Sequence, residues 1–355
     1  MSFFFVVLPT LVGLASAAQI HVAEQGHAYN PHFSPDGQWL AFELNRYGDA
    51  VDLFVTKVSA GNGAVPVKVV IPGLTSSFSS RGSVVAHPVW HPEGTLIFEG
   101  SNSGGAQRLY YWAPGGQSAA ELLSSTQAGG DLTWPSISAD GRTLAFVSDS
   151  AGSGDIFLWA QATNTVKSTF TSPSAEAAPA FAPDGRTIAF TRKNRGTEDM
   201  FLWAGSGEPT QLRGGNGDQT RPIWVGEKVV YFTNERGEGH WDIAVTGRDG
   251  AERTILAREV RLPMRASPAI TPDKRSVVYT LSDPEQGDRL MASTLDGAST
   301  ATIPTGLVAC GEPDLVAAGG KIWAAFTALP SAVVDPNSAT DWRQLYIVDV
   351  TGKLP

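Results

Sequence analysis

Short apolar runs of strand length alternate with tight polar turns along almost the whole chain, and no run carries the 3.6-residue period of an amphipathic helix. The clearest copy is Ala178 to Ala204, APAFAPDGRTIAFTRKNRGTEDMFLWA, in which a Pro-Asp-Gly turn and an Asn-Arg-Gly turn separate three apolar runs. Both turns supply the positive-φ position that a tight hairpin needs. The stretch reads as a three-stranded antiparallel meander, which cannot bury both faces alone.

It recurs. Phased on an opening proline, the copies begin at Pro31, Pro88, Pro135, Pro179, Pro222, Pro268 and Pro313, spaced by 57, 47, 44, 43, 46 and 45 residues. That is close to the roughly 40–45 residues of a four-stranded propeller blade. Two positions after each proline stands Phe33, Trp90, Ile137, Phe181, Trp224, Ile270 or Leu315, a large apolar residue suited to facing a neighbouring unit. A turn follows, as in Ser34-Pro35-Asp36-Gly37, then a second strand such as Leu40-Ala41-Phe42, then a third such as Asp155-Ile156-Phe157. The period predicts an all-β, seven-bladed β-propeller of four-stranded antiparallel blades over residues 18–355.

Six units offer a fourth strand: Val67 to Ile71, Glu121 to Ser124, Val166 to Thr171, Thr210 to Arg213, Arg253 to Ala257, and Thr300 to Ile303. The seventh offers none, whereas Gln19 to Glu24 is a strand-like run belonging to no unit. Pairing that run onto the last blade would close the ring and cover its edges. Two insertions interrupt the period, one with its polar tip at Ser76 to Ser83 and one from Thr327 to Trp342; long loops on a rigid scaffold are where binding tends to reside.

Composition narrows the function. The chain has 355 residues, 42% of them hydrophobic, and a net charge of -9, so it has a core to bury and no basic footprint for nucleic acid. Phe3 through Leu14 followed by Ala15-Ser16-Ala17 reads as a secretory signal peptide over residues 1–17, although no Lys or Arg precedes the apolar run. An uncleaved anchor is the alternative. The remaining chain has no apolar run of membrane length, so a periplasmic or secreted, monomeric protein is expected. The single cysteine, Cys310, excludes an internal disulfide and reads as a small buried hydrophobe.

Together, the opening proline, the Ser-Pro-Asp-Gly turn, the Leu-Ala-Phe strand, the Arg-x-Gly turn and the Asp-Ile-Phe strand resemble the propeller repeat of the TolB family. The resemblance spans essentially the whole chain after the leader and is strongest at Asn30 to Gly37 and in the third and fourth units. It implies a WD-like propeller of the bacterial envelope. TolB itself has six repeats behind an α/β domain, so seven openings directly behind a leader mark a TolB-like chain rather than TolB. Prolyl-oligopeptidase relatives share such repeats but append a hydrolase domain, and no Gly-x-Ser-x-Gly elbow occurs here.

Chemistry is sparse. The sequence contains no His-Glu-x-x-His, no cysteine pair, no EF-hand loop and no phosphate-binding glycine loop. Asp52, Asp155, Asp199 and Asp242 recur at one repeat position, which places them on different blades and makes them structural. His91, in the serine place of a turn, and His21 read the same way. One set converges: Asn30, His87, Trp134, Ala178, Arg221, Ser267 and Glu312 precede the seven prolines and would meet at one mouth of a central channel. The candidate binding residues are therefore Asn30, His87, Trp134, Arg221, Ser267 and Glu312, with no catalytic group, metal ligand or cofactor expected. A solvated rim without a ligand is the plainer reading.

Two functions follow. The first is a non-catalytic scaffold outside the cytoplasm holding a protein or envelope glycan. The second is suggested by a further resemblance, to the seven-bladed oligogalacturonate lyases, which use histidines and a divalent metal at the mouth. It would give His32 and His87 such parts and set Arg221 against a uronate carboxylate.

Overall fold

The computed structural model describes residues 17–45, 50–59, 62–63, 65–73, 84–101, 105–285, 287–330 and 342–355. The leader, apart from residue 17, and the tips of both insertions lie outside the described residues. Within them the chain is all β, with one turn of 3-10 helix at Gln161–Thr163 as the exception.

The strands form five hydrogen-bonded sheets. Three have four strands each, among them Leu132–Ile137, Thr143–Ser148, Asp155–Ala160 and Thr165–Ser168 in sequential antiparallel order. A nine-stranded sheet carries the first two units, joined only by the parallel pair Val51 and Val84, and an eight-stranded sheet carries the fifth and sixth, joined only by Val260 and Leu281. The fourth strands are shorter than read at Val67–Lys68, Ala120–Glu121 and Thr300–Thr302, match the reading at Thr210–Arg213, and run longer at Arg253–Val260.

The last sheet mixes the two ends of the chain. Ala18–Ile20 lies antiparallel to Gln344–Asp349, pairing Ala18 with Ile347 and Ile20 with Leu345. The expected strand at Gln19 to Glu24 is thus shifted and only three residues long. Its inward residue is Ile20, fully buried, while Gln19 and His21 face solvent.

Hydrophobic burial occurs between successive units of the repeat. Ala41 and Leu53 pack on Val85, Trp90 and Phe98 of the next unit, Ile97 and Leu109 on Leu132 and Phe146, and Val147 and Ile156 on Phe190 and Trp203. The series continues through Met200 with Tyr231, Val230 with Tyr279, and Leu290 with Phe326. It returns to its start where Val316, Leu345 and Ile347 of the last sheet meet Leu40 and Phe42 of the first unit. The second-strand aromatics Phe42, Phe98, Phe146, Phe190, Tyr231 and Phe326 are each completely buried; truncating a buried phenylalanine of this kind costs about 3–5 kcal/mol.

Repeat positions read as structural behave so. Ser34 Oγ donates to Asp36 Oδ1 at 2.6 Å and accepts from Trp39 N–H at 2.9 Å, locking the turn. His91 takes the serine's place: its Nδ1 accepts from Glu93 N–H at 3.1 Å, and its Nε2 lies 3.0 Å from Gly141 O of the next unit. The recurrent aspartates sit in separate sheets and are consumed locally, Asp52 by Lys68 at 2.8 Å, Asp155 by Ser172 N–H at 3.0 Å, Asp199 by Asn194 and Gln211, and Asp242 by Arg236. Cys310 is completely buried, and burial pushes its thiol pKa up.

Candidate functional site

Six of the seven first strands break their ladder at the X-Pro step. The register shifts between Tyr29 and His32, between Ala86 and Val89, between Thr133 and Ser136, and likewise in the fourth, fifth and seventh units. Proline has no N–H to give to a ladder, and αR is closed to the residue before it, so the two residues bulge out. Asn30, His87, Trp134, Ala178, Arg221 and Glu312 all take left-handed backbone at φ 49–53°. Ser267 alone does not, and its strand is the shortest of the seven, Ala269–Ile270.

The bulges meet. All seven opening prolines line one cavity of about 690 Å3. Asn30, His87, Trp134, Ala178 and Ser267 line it with them, so five of the seven pre-proline residues converge as the sequence implied. Arg221 and Glu312 do not. Each finds backbone partners elsewhere: Arg221 donates to the carbonyls of Pro263, Ala266 and Met264, the last at 2.8 Å, and Glu312 accepts from Asn30 N–H at 2.7 Å and Met264 N–H at 3.2 Å. Burial depresses the Arg221 pKa to about 10 and raises that of Glu312. Their role is to pin the 261–266 loop, not to face the cavity.

Two residues missed by the repeat reading organise the polar side of the site. Glu43 accepts from Asn30 Nδ2 at 2.8 Å and from His87 N–H at 2.9 Å. Glu99 accepts from Trp134 N–H and from His87 Nδ1, both at 2.6 Å, and from Gln107 Nε2 at 3.1 Å. Carboxylates therefore capture the N–H of three of the left-handed residues, offsetting strain of order 1–3 kcal/mol at each. The signal was present as Leu-Ala-Phe-Glu and Leu-Ile-Phe-Glu, an acid following the apolar core of a second strand.

The cavity wall is asymmetric. On one arc the His87 ring lies against Trp134, centroids 4.6 Å apart; His32 Nε2 lies 3.0 Å from Asn30 Oδ1; and Arg265 is 3.8 Å from Glu43. Asp314 accepts from Phe33 N–H at 2.7 Å, and burial raises its carboxyl pKa against the opposing pull of His32. The other arc is apolar, with Ala178, Pro179, Phe181, Pro222 and Ile223. Among the described residues no three His, Cys, Asp or Glu side chains are grouped to hold a metal ion.

Antiparallel sheets packed on one another, with their opening prolines gathered on one cavity, have the architecture of a propeller-type fold. The family model described as the TolB beta propeller domain matches residues 10–225 and 126–314. The chain belongs to that family. Among solved structures it is similar to TolB from Acinetobacter baumannii, 19% identical with a TM-score of 0.56, covering 81% of this chain and 66% of that one. It is also similar to oligogalacturonate lyase from Vibrio parahaemolyticus, 12% identical with a TM-score of 0.63, covering 99% and 97%. The β-propeller domain of the trilobed protease from Pyrococcus furiosus is 15% identical with a TM-score of 0.59, covering 92% and 99%. No curated protein matches the sequence. At such identities the likeness is one of fold.

Proposed function

We propose that the chain is a seven-bladed propeller sealed by the strand Ala18–Ile20, and that it works outside the cytoplasm as a non-catalytic scaffold. Its proline-lined cavity receives part of a protein or envelope-glycan partner. The observation that carries this reading is the fate of the ionisable groups at the cavity. Of those that line it, His32 lies against Asn30 Oδ1, His87 is held through Nδ1 by Glu99, Arg265 stands 3.8 Å from Glu43, and Asp314 accepts from Phe33 N–H. What is left facing the space is an aromatic and proline surface with a polar arc, which suits recognition better than proton transfer. The circular series of cores between units supports seven blades and closure. The apolar leader supports export, and no helix among the described residues is long and apolar enough to cross a membrane.

The test is affinity capture from the native envelope fraction with wild type and with Trp134→Ala. Retention of a specific partner by wild type and its loss in the variant, at unchanged stability, is the expected result. Equal capture by both sinks the site. A lyase-like activity is the second reading, favoured by a fold shared with an oligogalacturonate lyase in complex with manganese. Metal analysis of purified protein and an assay for unsaturated products from oligogalacturonate separate the two.

A further inference from the structure

A second cavity, of about 280 Å3, shares no lining residue with the first. One wall is the loop pinned by Arg221 and Glu312, presenting Arg261, Leu262, Pro263 and Met264; Tyr29 and Arg343 face it. Arg343 donates through Nη1 to Ala309 O at 2.7 Å and to Thr327 Oγ1 at 3.3 Å, and through Nε and Nη2 to no described residue. Gly311 makes room for it, since a Cβ there would stand 3.1 Å from Arg343 Nη1. Burial lowers the Arg343 pKa, and the positive charge of Arg261 lowers it further. Arg261 is bonded to Asp288 yet remains exposed. The Tyr29 hydroxyl has no described partner, and the one acid in the lining, Glu312, has both oxygens engaged by backbone N–H groups.

We propose that this cavity binds the carboxylate of a small ligand with an apolar tail, held by Arg343 and Arg261, touched by the Tyr29 hydroxyl, and covered by Leu262, Pro263 and Met264. A guanidinium with two free donors matches a carboxylate in bidentate geometry. The volume falls at the small end of ligand pockets, about 300 Å3, which excludes an oligosaccharide. Two sources carry this chemistry, a free short-chain acid and the terminal carboxylate of a peptide. The proposal is independent of the proline-lined cavity, and its failure leaves that reading untouched.

The test is calorimetric titration of the full chain with hexanoate, N-acetylleucine, hexanol and inorganic phosphate. Saturable binding of at least one carboxylate at a single site is expected, with no binding of hexanol; the tighter of the two carboxylates names the source. Arg343→Gln and Arg261→Gln should each weaken binding about tenfold. If Arg343→Gln does not fold, Arg261→Gln and Tyr29→Phe decide. The proposal is overturned if neither carboxylate saturates, if hexanol binds as well, if phosphate binds more tightly than both, or if the variants that fold keep full affinity.

Discussion

Whether three residues close the proposed ring can be decided at Ile20. Its side chain is 1% exposed and belongs to the core in which Leu345 and Ile347 of the last sheet meet Leu40 and Phe42 of the first unit. Ile20→Ala removes three carbons, worth about 0.8 kcal/mol each in transfer alone, and the space left behind adds to this. A loss of about 3 kcal/mol in unfolding free energy is expected. Gln19→Ala is the control: Gln19 is exposed and makes only a 3.4 Å bond to Gln344 Oε1, so its loss should stay within about 0.5 kcal/mol. Equilibrium urea unfolding followed by tryptophan fluorescence suits the question, because Trp323 packs on the seam itself whereas Trp134 and Trp224 lie in the third and fifth units, away from it. If closure makes the ring cooperative, those remote probes shift to lower urea together. An unchanged midpoint in Ile20→Ala would refute the reasoning, since the strand would then be an ornament on a ring that holds without it.

Three further outcomes are expected. Gly141 has φ 73°, and a Cβ there would lie 2.5 Å from His91 Nε2; Gly141→Ala should cost about 1–3 kcal/mol by calorimetry, with His91→Ser in the same chain restoring only the part due to the clash. Glu99→Ala leaves the Trp134 N–H, His87 Nδ1 and Gln107 Nε2 without their acceptor, and urea unfolding should show a loss of about 3 kcal/mol or more, with Glu99→Gln less damaging. Burial raises the carboxyl pKa of Glu312 and Asp314 above the ordinary 4.5 and 3.8. The folded chain then holds protons that the unfolded one gives up, so their contribution is fully present below those values and is lost as pH rises through the raised ones. Glu312→Gln with Asp314→Asn should flatten that fall in a plot of stability against pH, and a slope identical to wild type would disprove it.

The repeat was legible because every unit has the same need at the same place. A bulge that faces a crowded centre requires a residue without an N–H, and Pro31 through Pro313 mark it whatever surrounds them. The direction of a side chain carries no such mark. Arg221 and Glu312 occupy the same left-handed position as His87 and Trp134, yet their long polar chains reach the backbone of 263–266, a loop whose path depends on a non-repeating stretch of the sixth unit. Position in the period fixed their backbones and not their partners. Glu43 and Glu99 were overlooked for the opposite reason, since they sit in strands whose apolar core already explained them.

The placement of those acids makes the two sides of the proline-lined cavity unequal. At the position of Glu43 and Glu99 the third, fourth and fifth units carry Val147, Thr191 and Phe232, so no carboxylate reaches the next N–H at Ala178 or Arg221. A left-handed residue held by a buried carboxylate is anchored by a charge-assisted bond; one without it has no such anchor at its N–H. The arc from Asn30 to Trp134 is thus the rigid one, and it also carries the aromatic and hydrogen-bonding groups. A partner entering the cavity would be read by the stiff polar arc and accommodated by the apolar arc at Pro179, Phe181, Pro222 and Ile223. Rigid polar groups lose little freedom on binding, which is why Trp134 rather than Phe181 is the residue whose removal should abolish capture.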